Sequence, residues 1–410
     1  MTPVQPDRRN YQAFLWHAAW LALATTFTDI NTVMPGLLVQ AGGTEFHVGL
    51  LTGIMVGVPL VAQLLFASFL STREMKRPFL LLGINLRIVA LAGVAATLGI
   101  AARLNSVVLI LLVYLWMLLF SASGAFAGVS YTDILGKSIG ADSRRRFFVV
   151  RQYISSGGIL ISALIARWVL GIYAYPDAYL VLFTAAAVTL AMASAGFWRI
   201  REQPAAALES RRGLLAVMRM IPSMVRDDRN LRSYIAMANL SGVGTALLPF
   251  LIVLAKREMG LDGTQLGTFL LVQIAGMLIS NLIWQRVIRR TAFRGVLLAA
   301  SVLGVAVPIA ALLLAPLGSP WLYAIVFLVS GASISARRIG QDGAIVQMSN
   351  DQNRALYTGV IGTLNLTIAI FPLVVGLLIT AIGYWPVFLL AAVCMALSGI
   401  FVRRLHCVIE

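Results

Sequence analysis

The amino-acid sequence predicts an all-α polytopic membrane protein with twelve transmembrane helices, and three observations lead to this fold class. Of its 410 residues, 60% are hydrophobic and only 12% are charged, whereas an ordinary soluble domain has roughly 25% charged residues. The apolar residues are gathered in runs of at least about 20, the length that a helix needs to cross a bilayer. The Lys and Arg residues lie mostly between these runs. The lipid bilayer is therefore the expected surrounding of most of the chain.

The apolar runs fall into two sets of six, separated by one long polar stretch. We predict a six-helix bundle over residues 1–198, a cytoplasmic linker over 199–230 and a second six-helix bundle over 231–410. Apolar and Arg residues alternate at helical spacing in the linker, so it is either an amphipathic helix on the membrane surface or a tether held near anionic lipid. The spans are expected at about 14–39, 46–70, 79–101, 106–136, 147–171, 178–198, 231–255, 264–287, 293–315, 321–348, 356–381 and 384–402.

The positions of the basic residues predict the orientation. With the amino terminus inside, the cytoplasmic side collects 24 Lys and Arg, and the opposite side holds only Arg103, Lys256 and Arg257. Cytoplasmic loops carry such an excess, so both termini and the linker are expected inside a bacterial-type cytoplasmic (inner) membrane. The net charge of +16 is then explained by topology, and no nucleic-acid partner is expected.

The two halves carry similar spacings of ionisable residues near the fourth and the tenth spans. The repeated members are Asp133, Asp142 and Arg145 in the first half, and Asp342, Asp351 and Arg354 in the second.

This duplicated arrangement with a long central loop resembles the major facilitator superfamily of transporters. Residues 131–158 (YTDILGKSIGADSRRRFFVVRQYISSGG) are the most similar segment, with an acidic residue ending span four and a basic loop before a Gly-bearing span five. The loop between spans two and three keeps Lys76 and Arg77 but lacks the glycines and the Asp of the family pattern. The resemblance implies alternating access, with spans one, four, seven and ten around a central cavity.

The first candidate site residue is Asp29, because an ionisable side chain in lipid costs several kcal/mol unless it faces protein or a water-filled cavity. Thr25, Asp29 and Thr32 follow the i, i+4, i+7 spacing of one helix face. Since the resemblance places this span at the cavity, Asp29 is a candidate for proton coupling or substrate contact. The alternative is a permanent ion pair with an Arg of a neighbouring helix.

Span ten and span seven supply further candidates. Arg338 and Asp342 are i, i+4 partners that can neutralise each other. This leaves Arg337 as an anchor for an anionic group, since a guanidinium binds carboxylate or phosphate through two parallel hydrogen bonds. The alternative for Arg337 is an internal counter-ion, for example of Asp29. Asn239 in span seven lies beside small residues that can loosen the helix, so it is also expected at the binding site.

A second group of ionisable residues lies near the span ends. Asp133, Arg151, Arg87, Arg338 and Asp342 are expected to form ion pairs that close a cytoplasmic gate or anchor helices. Making and breaking such pairs is a physical means of switching between inward-open and outward-open states.

These features predict a secondary transporter of a small solute, coupled to protons and driven by a gradient, since the chain has no P-loop. Five intramembrane Arg against three Asp favour an organic anion. We expect no cofactor, no metal site, and a monomer in the bilayer. The alternatives are export of hydrophobic or cationic drugs, a transport-inactive sensor or scaffold with a transporter fold, and a membrane-embedded enzyme. The enzyme would need convergent His, Asp or Ser residues, and these are scattered.

Overall fold

The computed structural model describes residues 8–71, 73–139, 141–204, 214–348 and 354–405. These residues form helices joined by short turns, and none of the described residues lies in a strand. The all-α fold class predicted from composition is therefore confirmed. By their internal contacts the helices group into two compact units.

Unit 1 comprises Met1–Gly42 and Ile54–Arg211. Phe14 of its first helix packs edge-on against Tyr131, Phe147 and Phe197, with ring centroids 5.3, 6.3 and 6.1 Å away. This aromatic cluster joins four helices of the unit around one buried side chain. The helices are α1 (Arg8–Phe27), α2 (Val33–Gln40), α3 (Glu45–Ser71, whose first residues group with unit 2), α4 (Arg77–Gly99), α5 (Ser106–Ser138), α6 (Ala141–Ile172) and α7 (Asp177–Trp198).

Unit 2 comprises Gly43–Gly53 and Arg212–Glu410. Its helices are α8 (Leu214–Asp227), α9 (Arg229–Ala246), α10 (Leu248–Met259), α11 (Gly263–Leu314), α12 (Pro320–Met348), α13 (Arg354–Leu364), α14 (Phe371–Ile382) and α15 (Tyr384–Arg403), with a 3₁₀ turn, Asn365–Ala369, between α13 and α14.

Helices α11 and α12 pack closely because glycine faces the partner backbone on both sides. A methyl group at Gly331 would overlap the carbonyl oxygen of Gln273. The Gln273 amide in turn donates to the Ser330 hydroxyl at 3.0 Å, so a buried polar side chain is paired between the two helices.

Ten helical stretches in the described part are long and apolar enough to cross a membrane. One of them, Gly263–Leu317, has 55 residues and turns at Ala292, whose φ is 53° and ψ −162°. It holds two of the predicted spans. The first predicted span is divided between α1 and α2 and is not one of the ten. Counting α11 twice and α1 with α2 once, the helices accommodate the predicted twelve spans.

Large apolar side chains on the outer surfaces of these helices are consistent with a lipid surrounding. Val302 and Trp321 are 68% and 75% exposed. In water such side chains would form a surface prone to aggregation.

The amphipathic segment of the predicted linker is helix α8. Its Ile221, Met224 and Val225 side chains pack against the core of unit 2. These three side chains are therefore covered by protein, a contact that neither sequence alternative foresaw. Residues 205–213 of the predicted linker lie outside the described residues, as do Asp351 and the side chains of Asp142, Arg145 and Arg354 from the predicted repeat.

Asp228 begins the helix that follows the linker. Its carboxylate accepts hydrogen bonds from the backbone N–H groups of Asn230 at 2.8 Å and Leu231 at 3.0 Å, which caps α9. The Tyr357 hydroxyl donates to the other carboxylate oxygen at 2.5 Å. Asp228 thus connects the start of α9 to α13.

Candidate functional site

The Asp29 carboxylate occupies the break between α1 and α2. Its Oδ1 atom accepts hydrogen bonds from the backbone N–H of Asn31 at 2.9 Å, the backbone N–H of Thr32 at 2.8 Å and the Thr32 hydroxyl at 2.8 Å. The Asp29 carbonyl accepts from the Met34 N–H at 2.9 Å in the first turn of α2. Within the described part of unit 1, no Lys or Arg forms a salt bridge with Asp29. The carboxylate therefore orders the turn that leads into α2.

The prediction that span one has a single polar helix face is wrong because of this break. Residues 28–32 are not α-helical, so Thr25, Asp29 and Thr32 do not share one helix face. Asp, Asn and Thr side chains bond to nearby backbone groups and so compete with the helix. Asp29 and Thr32 are in contact, whereas Thr25 is exposed and its hydroxyl donates to the Ala22 carbonyl at 3.1 Å.

Asn239 lies against a second break, the 3₁₀ turn of span eleven. Its amide group donates to the Leu364 carbonyl and to the Asn365 side chain, each at 3.4 Å. The Thr367 hydroxyl donates back to the Asn239 side-chain oxygen. Asn239 thus supplies a donor to one backbone carbonyl at the turn and contacts two of its side chains. The structure gives it a partner in span eleven, which the sequence did not indicate.

A cavity of about 240 Å³ lies within unit 2. Ser333, Arg337 and Gln341, which share one face of α12 at i, i+4 spacing, line it together with Arg338 and Asp342. The Arg337 Nε and the Gln341 Nε2 atoms are buried and have no hydrogen-bond partner among the described residues. The rest of the wall is largely apolar and comprises Gly244, Thr245, Leu248, Gly304, Val307, Ile334 and Met395.

The predicted neutralisation of Arg338 by Asp342 is not observed. Both side chains are exposed and line the cavity, but no salt bridge joins them in the part of the chain that the structure describes. Exposed i, i+4 pairs gain little because water screens the charges. Arg337 also forms no salt bridge with a described carboxylate of unit 2. The guanidinium predicted to anchor an anion is therefore unpaired within its unit.

The predicted gate pairs of unit 1 have different partners from those expected. Asp133 forms salt bridges with Lys76 at 2.6 Å and Lys137 at 2.5 Å. The guanidinium carbon of Arg151 lies 5.7 Å from the Tyr131 ring centroid, and that of Arg87 lies 4.3 Å from the Phe120 ring centroid. The two arginines contact aromatic faces, which attract cations, and neither forms a salt bridge within the described unit 1.

Glu202 was missed by the sequence analysis, which assigned it to the linker. Its buried carboxylate accepts hydrogen bonds from the backbone N–H groups of Lys76 and Arg77, the residues at the start of α4. It also lies 3.9 Å from the Lys137 ammonium. Glu202 and Asp133 thus supply carboxylates beside the basic loop that lacks the family's Asp. The only signal in the sequence was an acidic residue close after span six.

The described residues contain no group of three or more His, Cys, Asp and Glu side chains arranged to hold a metal ion.

Comparison with known proteins places this fold among transporters. Residues 234–406 match the family model of the Major Facilitator Superfamily. A bacterial homologue of the iron transporter ferroportin in an inward-facing state has a TM-score of 0.70 and 12% identity, covering 98% of this chain and 99% of that one. A POT family transporter in complex with 5-aminolevulinic acid has a TM-score of 0.68 and 11% identity, covering 97% and 95%. A D-xylose–proton symporter has a TM-score of 0.65 and 12% identity, covering 96% of each.

No curated protein sequence matches the chain significantly. The family match is confined to the carboxyl-terminal part, and the shared fold extends over almost the whole chain. Together they show that the chain shares its fold with major facilitator transporters over almost its whole length and matches their family model over residues 234–406.

Proposed function

We propose that the protein is a secondary transporter that moves a small solute by alternating access and couples this movement to protons through Asp29. The observation that carries the proposal is the position of Asp29, a carboxylate at the turn that interrupts the first span between α1 and α2. The fold shared with a proton symporter supports the same reading.

The local geometry links the protonation of Asp29 to the conformation of the turn between α1 and α2. Three donors converge on one Asp29 oxygen, and hydrogen bonds to a charged acceptor are about twice as strong as those to a neutral one. Protonation of the free oxygen therefore weakens the turn at residues 29–32. The charged and the neutral forms then favour different shapes of the break, which is what a coupling group must do.

The membrane placement is part of the proposal. The excess of Lys and Arg in alternate loops supports a cytoplasmic membrane with both termini and the linker inside. We also propose that a single chain carries the complete transport pathway.

Solute-dependent proton flux tests this function. Purified protein is placed in liposomes containing a pH-sensitive dye, and a panel of monocarboxylates, neutral sugars and cationic dyes is added outside. Wild-type protein is expected to acidify the lumen with at least one solute class. Asp29→Asn keeps an acceptor for the three donors, and is expected to lose net proton flux while retaining solute exchange. Asp177→Asn, an exposed acid at the start of α7, is the matched control.

The outcomes separate the alternatives. Unchanged pH-driven transport by Asp29→Asn would overturn coupling through this residue. Movement of cationic dyes alone would favour drug export. The absence of flux and exchange with every solute in the panel would favour a transport-inactive sensor or scaffold.

A further inference from the structure

We propose that the cavity in unit 2 binds the carboxylate of a small monoanionic organic molecule, with Arg337 as its anchor. This inference rests on the proposed function, for which it names a substrate class. It is carried by the side chains that line the cavity and by hydrogen-bond donors that have no partner among the described residues.

The donors of the cavity lie on one face of α12. Arg337 and Gln341 are one helical turn apart, and each has a buried nitrogen without a hydrogen-bond partner in the described part of the chain. A buried donor that has lost water costs free energy unless something accepts its hydrogen. Ser333, one turn before Arg337, adds a hydroxyl to the same face. A ligand with carboxylate oxygens would satisfy these donors.

The charges of the lining favour one negative charge on the ligand. Arg337 and Arg338 contribute two positive charges, and Asp342 contributes one negative charge in the same wall. The surplus is a single positive charge. A dianion such as a phosphate monoester would exceed this surplus and would be repelled more strongly by the Asp342 carboxylate, so a monocarboxylate fits better.

The apolar part of the lining favours an apolar body on the ligand. Leu248, Val307 and Met395 face the cavity, and Met395 lies in a recess formed by two glycines. A methyl group at Gly244 or Gly304 would overlap the Met395 side chain. The glycines therefore allow the flexible thioether to form part of the wall.

The cavity also limits ligand size. Its volume of about 240 Å³ lies below the roughly 300–1,000 Å³ that is usual for pockets of drug-sized ligands. A single ring or a short aliphatic chain bearing one carboxylate is the appropriate scale.

Calorimetric titration of the purified full-length protein in detergent tests the assignment. The probes are acetate, butyrate, benzoate and 2-naphthoate, with benzamide as the neutral isostere of benzoate, decanoate as a lipid-like carboxylate, and inorganic phosphate. We expect benzoate or butyrate to bind most tightly and benzamide to bind about ten-fold or more weakly, because it lacks the charge. Weaker binding of decanoate than of butyrate would identify a free solute, and not a lipid, as the source of the carboxylate.

Variants assign the binding to this cavity. Arg337→Gln is expected to weaken benzoate binding by about ten-fold or more, whereas Arg286→Gln, at an exposed arginine outside the cavity, leaves it unchanged. If Arg337→Gln fails to fold, Gln341→Leu and Arg337→Lys are measured in its place. Arg337→Lys is expected to retain part of the affinity for benzoate. Gly304→Ala, which displaces Met395, is expected to weaken benzoate binding more than acetate binding.

Equal binding of benzoate and benzamide, wild-type affinity in Arg337→Gln, or no binding of any carboxylate overturns the assignment. Carboxylate binding without coupled flux leaves this site in place and removes the proposed proton coupling. Proton-coupled transport of a sugar or cation without carboxylate binding overturns the carboxylate site and leaves the proposed proton coupling in place.

Discussion

Both carboxylate oxygens of Glu202 lie 2.8 Å from the backbone nitrogen of Lys76, and one lies 2.6 Å from the backbone nitrogen of Arg77. A residue beyond the end of α7 therefore caps the start of α4. The Glu202 side chain is fully buried, so its loss leaves backbone donors without an acceptor.

We expect Glu202→Ala to lower the free energy of unfolding by about 1–3 kcal/mol, the cost of leaving buried polar groups unpaired. Thermal unfolding in detergent measures the effect. Glu74→Ala, in the exposed loop before α4, is the control and should unfold at the wild-type temperature. Equal stability of the two variants would show that Glu202 does not cap the helix.

The salt bridges of Asp133 with Lys76 and Lys137 join the end of α5 to the basic loop. The Asp133 side chain is 29% exposed and that of Lys76 is 12% exposed. The contribution of this salt bridge to stability should therefore lie between those of fully exposed and fully buried pairs. We expect Asp133→Asn to destabilise the protein by about 1–3 kcal/mol, since two ammonium groups remain without their shared counter-ion.

A double-mutant cycle with Lys76→Met isolates this pair. A coupling energy of at least about 0.5 kcal/mol is expected between the positions. Additive effects of Asp133→Asn and Lys76→Met would argue against a direct interaction.

Asn239 supports the break of span eleven through the Leu364 carbonyl and the Thr367 hydroxyl. Asn239→Leu is expected to cost about 1–3 kcal/mol of stability and to slow transport, because the turn loses its partner in α9. Ser241→Ala in the same helix removes a hydroxyl that bonds only to its own helix, at the Ala238 carbonyl, and is expected to be nearly neutral. Similar transport rates and stabilities for the two variants would remove the special role of Asn239.

Ala292 has a backbone conformation that favours glycine, with φ at 53° and ψ at −162°. Relief of such strain is worth about 1–3 kcal/mol, against roughly 0.5–1 kcal/mol for the greater conformational entropy of unfolded glycine. Ala292→Gly is therefore expected to raise the unfolding temperature. Ala299→Gly, within the regular helix, should lower it. A lower unfolding temperature for Ala292→Gly would contradict the strained turn.

The sequence predicted the spans to within a few residues, because lipid requires long apolar runs whatever the packing. Helices α5 and α7 begin and end close to the predicted limits. The breaks in spans one and eleven were not predicted. They depend on hydrogen bonds of single side chains, Asp29 and Asn239, which hydropathy does not register.

The candidate site was predicted in part. Arg337 was proposed because an ionisable group in lipid is costly, and Asn239 because small residues beside it can loosen the helix. The structure places Arg337 at a cavity. The partners were not predictable, because they depend on how each helix is rotated about its axis. Asp133 therefore pairs with lysines and not with the expected arginines. Glu202 accepts hydrogen bonds from backbone groups, and such a role has almost no signal in the sequence.

The single-residue turn at Ala292 has a mechanical consequence for unit 2. Ala292 is the one non-helical residue between the two parts of α11, before and after this position. These two parts therefore have little freedom to slide past each other. We therefore expect α11 to move as one rigid element. Bending within the unit is then expected at the interrupted spans, at Leu247 between α9 and α10 and at Asn365–Ala369, the turn that Asn239 contacts.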